Sequence, residues 1–168
     1  MPAYEESVPA HLWPLAGDGR VAARRLTAHL PSGAYLAASD EPKAWQTLAE
    51  VGAVIRDPRF GEVRREGEPW EDGFLEPRRA YVDGADHAGW EPRVEVATRF
   101  DSAVQDHLVR AAERALVVAS HGMAMTVWLT ARIGLPAPGD FWAALRLPDA
   151  LAVDLVSRTA TPILRDLG

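Results

Sequence analysis

The clearest chemistry in this chain lies between Ala115 and Thr126. There a short apolar run, Leu116-Val117-Val118-Ala119, stops at Ser120-His121-Gly122, and an apolar helical pattern begins at once. A β-branched run of this kind reads as a buried parallel strand feeding directly into a helix. His121 and Gly122 then sit at the carboxyl end of a strand and over a helix N-terminus. Free backbone N–H groups and the helix dipole favour an anion there, phosphate above all. A histidine in that position can donate a hydrogen bond to a phosphoryl oxygen as charge builds on it. The bland alternative is an imidazole satisfied by backbone carbonyls, and the strand-to-helix context weighs against it. Other chemistries have less support. The chain has no cysteine, hence no thiolate nucleophile and no disulfide framework. No histidine–carboxylate spacing forms a known ligand set, so neither a metal nor a cofactor is expected. His29 and His107 fall within helical patterns and read as surface or boundary residues, while His11 and His87 lie in irregular segments.

Such a site needs a scaffold, and the flanking sequence supplies one. Residues 18–30 carry an amphipathic pattern (Val21, Ala22, Arg25, Leu26, His29, Leu30) that ends at Pro31-Ser32-Gly33. Ala34 to Ala38 reads as a short buried strand. Ser39 or Asp40 is placed to cap the next helix, which has Pro42 in its first turn and runs to about Val51. Residues 53–55 form a second strand leading to Asp57-Pro58-Arg59-Phe60-Gly61-Glu62, and a long helix spans 93 to about 115. After the His121 strand and helix, Asp140 caps a short helix through Leu145, and residues 151–156 close as another strand. Strands alternating with helices imply a three-layer α/β/α fold with a mainly parallel sheet. Ligands sit beyond the carboxyl ends of the strands in such sheets. Three segments bring polar residues to that edge: Ser39-Asp40 with Lys43, Glu62, and His121.

Residues 64–92 are the least regular stretch, punctuated by Pro and Gly and carrying Trp70, Phe74, Tyr81 and Trp90. An excursion of this length reads as a cap or lid, with Trp70, Arg78, Arg79 and Trp90 as candidate substrate contacts. That the aromatics merely pin the loop to the body is as strong a reading.

The 168 residues, 48% of them hydrophobic, suit one domain spanning 1–168. A net charge of −6, from 24 acidic against 18 basic residues, argues against nucleic acid as a partner. A small phosphate ester needs only a few converging cations. Lys43 is the only lysine; every other basic residue apart from histidine is arginine. The N-terminus lacks the basic start and apolar core of a signal peptide, and no run approaches membrane-spanning length. A cytoplasmic protein without a membrane partner is the expectation.

In order and spacing these pieces resemble the histidine phosphatase superfamily, the phosphoglycerate-mutase-like fold. Trp13-Pro14-Leu15 with Gly19-Arg20 looks like the family's first loop and helix. Ala38-Ser39-Asp40-Glu41-Pro42-Lys43-Ala44-Trp45-Gln46-Thr47 resembles its Ser-Ser-x-x-x-Arg-Ala-x-Gln-Thr segment. Phe60-Gly61-Glu62-Val63 falls where the family carries an acid, and Val118-Ala119-Ser120-His121-Gly122 matches its second-histidine motif. The resemblance implies hydrolysis of small phosphorylated metabolites through a phosphohistidine, with a neutral imidazole as nucleophile. It makes His121 the second histidine, Glu62 the proton donor to the leaving alkoxide, and Lys43 the occupant of a phosphate-binding arginine position. Lysine offers a point charge there and not arginine's planar fork. The family's opening strand, which ends in Arg-His-Gly or Arg-His-Ala and supplies the nucleophile, has no counterpart here. Either the true start lies upstream of Met1, or the chain is a shortened pseudo-enzyme that binds phosphoesters or partners without catalysis. By that resemblance the first central strand of the sheet is missing from residues 1–168, leaving open edges and a homodimer as one way to cover them.

Overall fold

The structure, a computed structural model, describes residues 3, 8–66, 73 and 75–163. Its elements run in the order α1 (Gly17–Thr27), β1 (Tyr35–Ala38), α2 (Pro42–Leu48), β2 (Ile55–Arg56), α3 (Leu75–Asp83), α4 (Arg93–Ala111), β3 (Leu116–Ala119), α5 (Gly122–Ile133), α6 (Pro138–Ala144), β4 (Leu151–Asp154) and β5 (Thr159–Pro162). Single 3-10 turns lie at Ala10–Leu12 and Pro58–Phe60. The fold is three-layer α/β/α around a parallel sheet of order β2-β1-β3. Strand β1 is its centre: Ala37 lies opposite both Ile55 and Val118, and Tyr35 to Ala38 are all buried.

Composition explains the layers. Helix α4 buries Val96, Phe100, Ala103, Val104, His107 and Ala111, a single stripe at helical spacing. Helix α5, apolar nearly all round, buries Met123, Ala124, Thr126, Val127, Trp128 and Leu129, and it packs extensively on α4. It ends where Gly134 takes the left-handed conformation (φ 75°) that a side chain would resist. The rings of Phe60, Phe100 and Trp128 join the two helices to the Pro58–Phe60 turn, with centroids 5.1 and 5.0 Å apart. Among the described residues, no helix is long and apolar enough to cross a membrane.

Several sequence expectations are corrected. The last strand does not join the parallel sheet: β4 pairs antiparallel with β5, a strand the sequence did not announce. Residues 64–92 are not all loop, because α3 forms within them. Neither Ser39 nor Asp40 caps α2; Glu41 holds the cap position, and the Ser39 hydroxyl accepts from its backbone N–H at 3.2 Å. Asp140 lies inside α6, whose cap residue is Ala137. His107 is completely buried, not a surface residue.

Among the described residues strand β3 is an edge strand, although apolar throughout. All four of its residues remain half-exposed, whereas their partners on β1 are shielded.

Candidate anion-binding site

His121 occupies the N-cap position of α5 with extended backbone (φ −124°, ψ 154°), at the carboxyl end of β3. Its carbonyl accepts from Met125 N at 3.0 Å and starts the helix. Its ring is buried among polar neighbours, and Nε2 has no hydrogen-bond partner among the described residues. The nearest opposite charge is Glu41 Oε1, at 3.2 Å but off the line a hydrogen bond requires.

Three of the residues expected at the sheet edge do converge. Glu62 projects from the loop after the Pro58–Phe60 turn and lies over the start of α5. Its Oε1 accepts from Val63 N and Ala124 N, both at 2.9 Å, and its Oε2 lies 3.5 Å from Met123 N. Glu62 therefore caps α5 from outside the helix, satisfying amides that would otherwise lack partners. Lys43 reaches back from α2, its Nζ 2.8 Å from Ala10 O and 2.6 Å from Glu41 Oε2. Gly122 is where α6 comes closest: a Cβ there would meet Trp142 Nε1 at 3.2 Å.

Two participants were not foreseen. Glu41 links the whole cluster, since its Oε1 also accepts from Glu62 N at 2.9 Å. A residue two before a lysine does not face it along a helix; Glu41 meets Lys43 only because it sits outside α2 on extended backbone. Arg99, on α4, holds the Glu62 loop in place. Its guanidinium donates to the carbonyls of Arg59 (2.7 Å), Gly61 (2.9 Å) and Glu62 (3.1 Å) and pairs with buried Glu91 at 2.8 Å. The Ser120 hydroxyl donates to Phe60 O at 2.7 Å and ties the same loop to β3.

The electrostatics follow from burial. Burial pushes the His121 imidazole below its ordinary range, against the opposing pull of Glu62 and Glu41. Its neutral form is therefore favoured at neutral pH. Burial pushes the Glu41 carboxyl up, but His121, Lys43 and the Glu62 N–H together outweigh it and hold the carboxyl below its usual range. With His121 neutral, the Glu41 anion rests on Lys43 and the Glu62 amide.

The residues expected in the cap make contacts of their own. Arg79 pairs with Asp140 and joins α3 to α6. Arg78, also on α3, is half-buried. Trp90 packs against Tyr81 and His87 (centroids 5.2 and 4.7 Å). Trp70 lies outside the described residues. Among the described residues, no cluster of acidic or histidine side chains is arranged to hold a metal.

The fold is a parallel α/β sheet with a histidine at a strand-to-helix junction. The family comparison gives it a name. The sequence model of the histidine phosphatase superfamily (branch 1) matches residues 13–160, and the chain belongs to that superfamily. Solved structures agree. Mycobacterial glucosyl-3-phosphoglycerate phosphatase complexed with VO3 is 25% identical, with TM-score 0.58 over 80% of this chain and 76% of that one. Bacillus stearothermophilus YhfR (19% identity, TM-score 0.66, 91% and 84% covered) and TTHB049 from Thermus thermophilus (24%, 0.59, 92% and 86%) share the fold. No curated protein matches.

Proposed function

We propose that His121, Gly122 and Lys43 form the phosphoryl-binding part of a histidine-phosphatase site for small phosphate monoesters, with Glu62 as the group that would protonate a leaving alkoxide. The observation that carries this reading is the His121 Nε2 atom, deeply buried and without a hydrogen-bond partner at the N-terminus of a 12-residue helix. Buried polar atoms are rarely left so, and a catalytic or ion-binding role is one of the few reasons for it. A neutral imidazole can donate Nε2–H to a phosphoryl oxygen, and Lys43 supplies charge. To act as an acid, Glu62 must first release the amides of α5.

Hydrolysis also needs an attacking group. The charged groups Glu62, Glu41, Lys43 and Arg99 bear on His121, and the sequence contains no Arg-His pair. In this reading residues 1–168 supply the phosphate-ester-binding part, and a strand bearing Arg-His would supply the attacking group. Residues 64–92 would act as the cap of a single domain, anchored near the site where Arg65 reaches Met123 Sδ at 3.2 Å.

The test is an NMR titration of the His121 imidazole with inorganic phosphate, run beside an aryl phosphate turnover assay. Inorganic phosphate should shift the His121 ring signals and bind less well to His121→Ala, and the aryl phosphate should not be turned over. A phosphate affinity indifferent to His121→Ala would sink the assignment.

A further inference from the structure

We infer that the phosphoryl pocket is self-occupied: the Glu41 carboxylate bridges Lys43 and His121 as an internal anion, and a phosphate ligand must displace it to bind. The inference rests on the proposed phosphate-binding role of His121 and adds the element that regulates it.

Geometry carries the argument. The two oxygens of Glu41 are divided between the two groups expected to hold a phosphoryl group. Oε2 lies 2.6 Å from Lys43 Nζ, and Oε1 lies 3.2 Å from His121 Nε2 while accepting from Glu62 N at 2.9 Å. A pair of phosphoryl oxygens could replace this pair, taking the lysine, the imidazole and the Glu62 amide together. The contact is also imperfect where it matters. Glu41 is close enough to His121 to block it, but the angle leaves Nε2 without a hydrogen bond. A ligand able to align with Nε2 would gain a bond that the resident carboxylate does not make.

The fold lets Glu41 leave. It lies outside α2 on extended backbone (φ −66°, ψ 130°), its side chain makes no capping bond to that helix, and Pro42 follows it at the first helical position. Rotation of one side chain would vacate the pocket without unwinding an element. The occupant also has a cost for binding. With the carboxylates of Glu41 and Glu62 both bearing on His121, an incoming dianion meets carboxylate repulsion before it meets its donors. Removing one carboxylate should reverse that balance.

The experiment compares inorganic phosphate binding to the full chain, to Glu41→Ala, to Glu41→Gln and to Glu41→Ala/His121→Ala, by calorimetry and by the His121 imidazole signals. Glu41→Ala should tighten phosphate by about tenfold or more, and the double variant should lose that gain. Glu41→Gln keeps the side-chain volume, so it serves if the alanine variant does not fold; removal of the charge alone should still tighten binding. Equal affinity in the parent chain and both Glu41 variants, still dependent on His121, would overturn self-occupation and leave the phosphate site standing. A gain that survives in the double variant would show a diffuse charge effect and also overturn it. Failure of every form to bind phosphate would defeat the site assignment itself, and self-occupation with it.

Discussion

At the scale of single residues, the most consequential side chain away from the site is Asp57. Its Oδ2 lies 3.0 Å from His107 Nε2 and 2.7 Å from Arg59 Nη2, and His107 Nδ1 lies 3.3 Å from the Tyr35 hydroxyl. Three elements, β1, α4 and the Pro58–Phe60 turn, are thereby joined through one carboxylate. Burial pushes the Asp57 carboxyl up, but hydrogen bonds from Arg59 and His107 outweigh it and bring it down to about 2. A carboxyl depressed in the fold contributes stability above its unfolded value, near 3.8, and loses it as pH falls toward 2. The contribution is about 2 kcal/mol. Asp57→Asn should therefore lower stability by roughly that amount at pH 7, and its stability should change less than the parent's between pH 5 and pH 2. Urea denaturation across that range decides it; parallel pH profiles would remove Asp57 from the account. The sequence does contain a signal for burial of His107. It shares the stripe of Val96, Phe100, Ala103 and Ala111 on α4, but a polar residue type in a helix reads as surface. Its partner Asp57 is 50 residues away in sequence, beyond the reach of local pattern.

At the scale of elements, α6 presses on the start of α5. A Cβ on Gly122 would come within 3.2 Å of Trp142 Nε1, 3.4 Å of its Cδ1 and 3.5 Å of Leu145 Cδ1. Alanine is the better helix former by at most about 1 kcal/mol, and less at a first helical position. Crowding a rigid indole costs about 1–3 kcal/mol. The second term wins, so Gly122→Ala should lower the melting temperature and alter tryptophan emission as Trp142 shifts. A raised melting temperature would mean that α6 is not seated there. What could be read of the elements follows a physical line. The 115–133 segment was legible because a β-branched run, a Gly at the helix start and another at its end all agree. Helix α3 was not, because Gly73, Pro77 and Gly84 surround and interrupt it. Yet Pro77 falls in the first turn of α3, where no backbone donor is needed. Residues 151–156 read from sequence as another strand; its antiparallel partner β5 and its place outside the parallel sheet did not. Its alternation, with Leu151 and Val153 half-buried and Ala152 and Asp154 exposed, is the mark of an antiparallel ribbon with one wet face. In the site, His121, Glu62 and Lys43 were legible from their motifs, whereas Glu41 depended on a cap conformation that spacing alone does not reveal.

At the scale of the whole molecule, the parallel sheet is unevenly finished. Tyr35 N donates to Ala115 O at 2.8 Å and Ser39 N to Ala119 O at 2.9 Å, so the carbonyls of residues 115, 117 and 119 face β1. In a strand, a residue's N–H and C=O point to the same side. The amides of Val117 and Ala119 thus face β1, and those of Leu116 and Val118 face outward, where no backbone partner is found among the described residues. An open apolar edge is a template for another strand. The net charge of −6 opposes close approach of two copies. The expected outcome in dilute solution is a monomer in which Leu116 and Val118 amides exchange with deuterium much faster than those of Val117 and Ala119. Residue-resolved hydrogen exchange at two protein concentrations tests this directly. Protection of Leu116 and Val118 that grows with concentration would mean the edge pairs with a second copy and that charge repulsion is the weaker force. Equal protection of all four amides at every concentration would mean that a strand of the chain itself already covers β3, and the three-stranded order would be wrong.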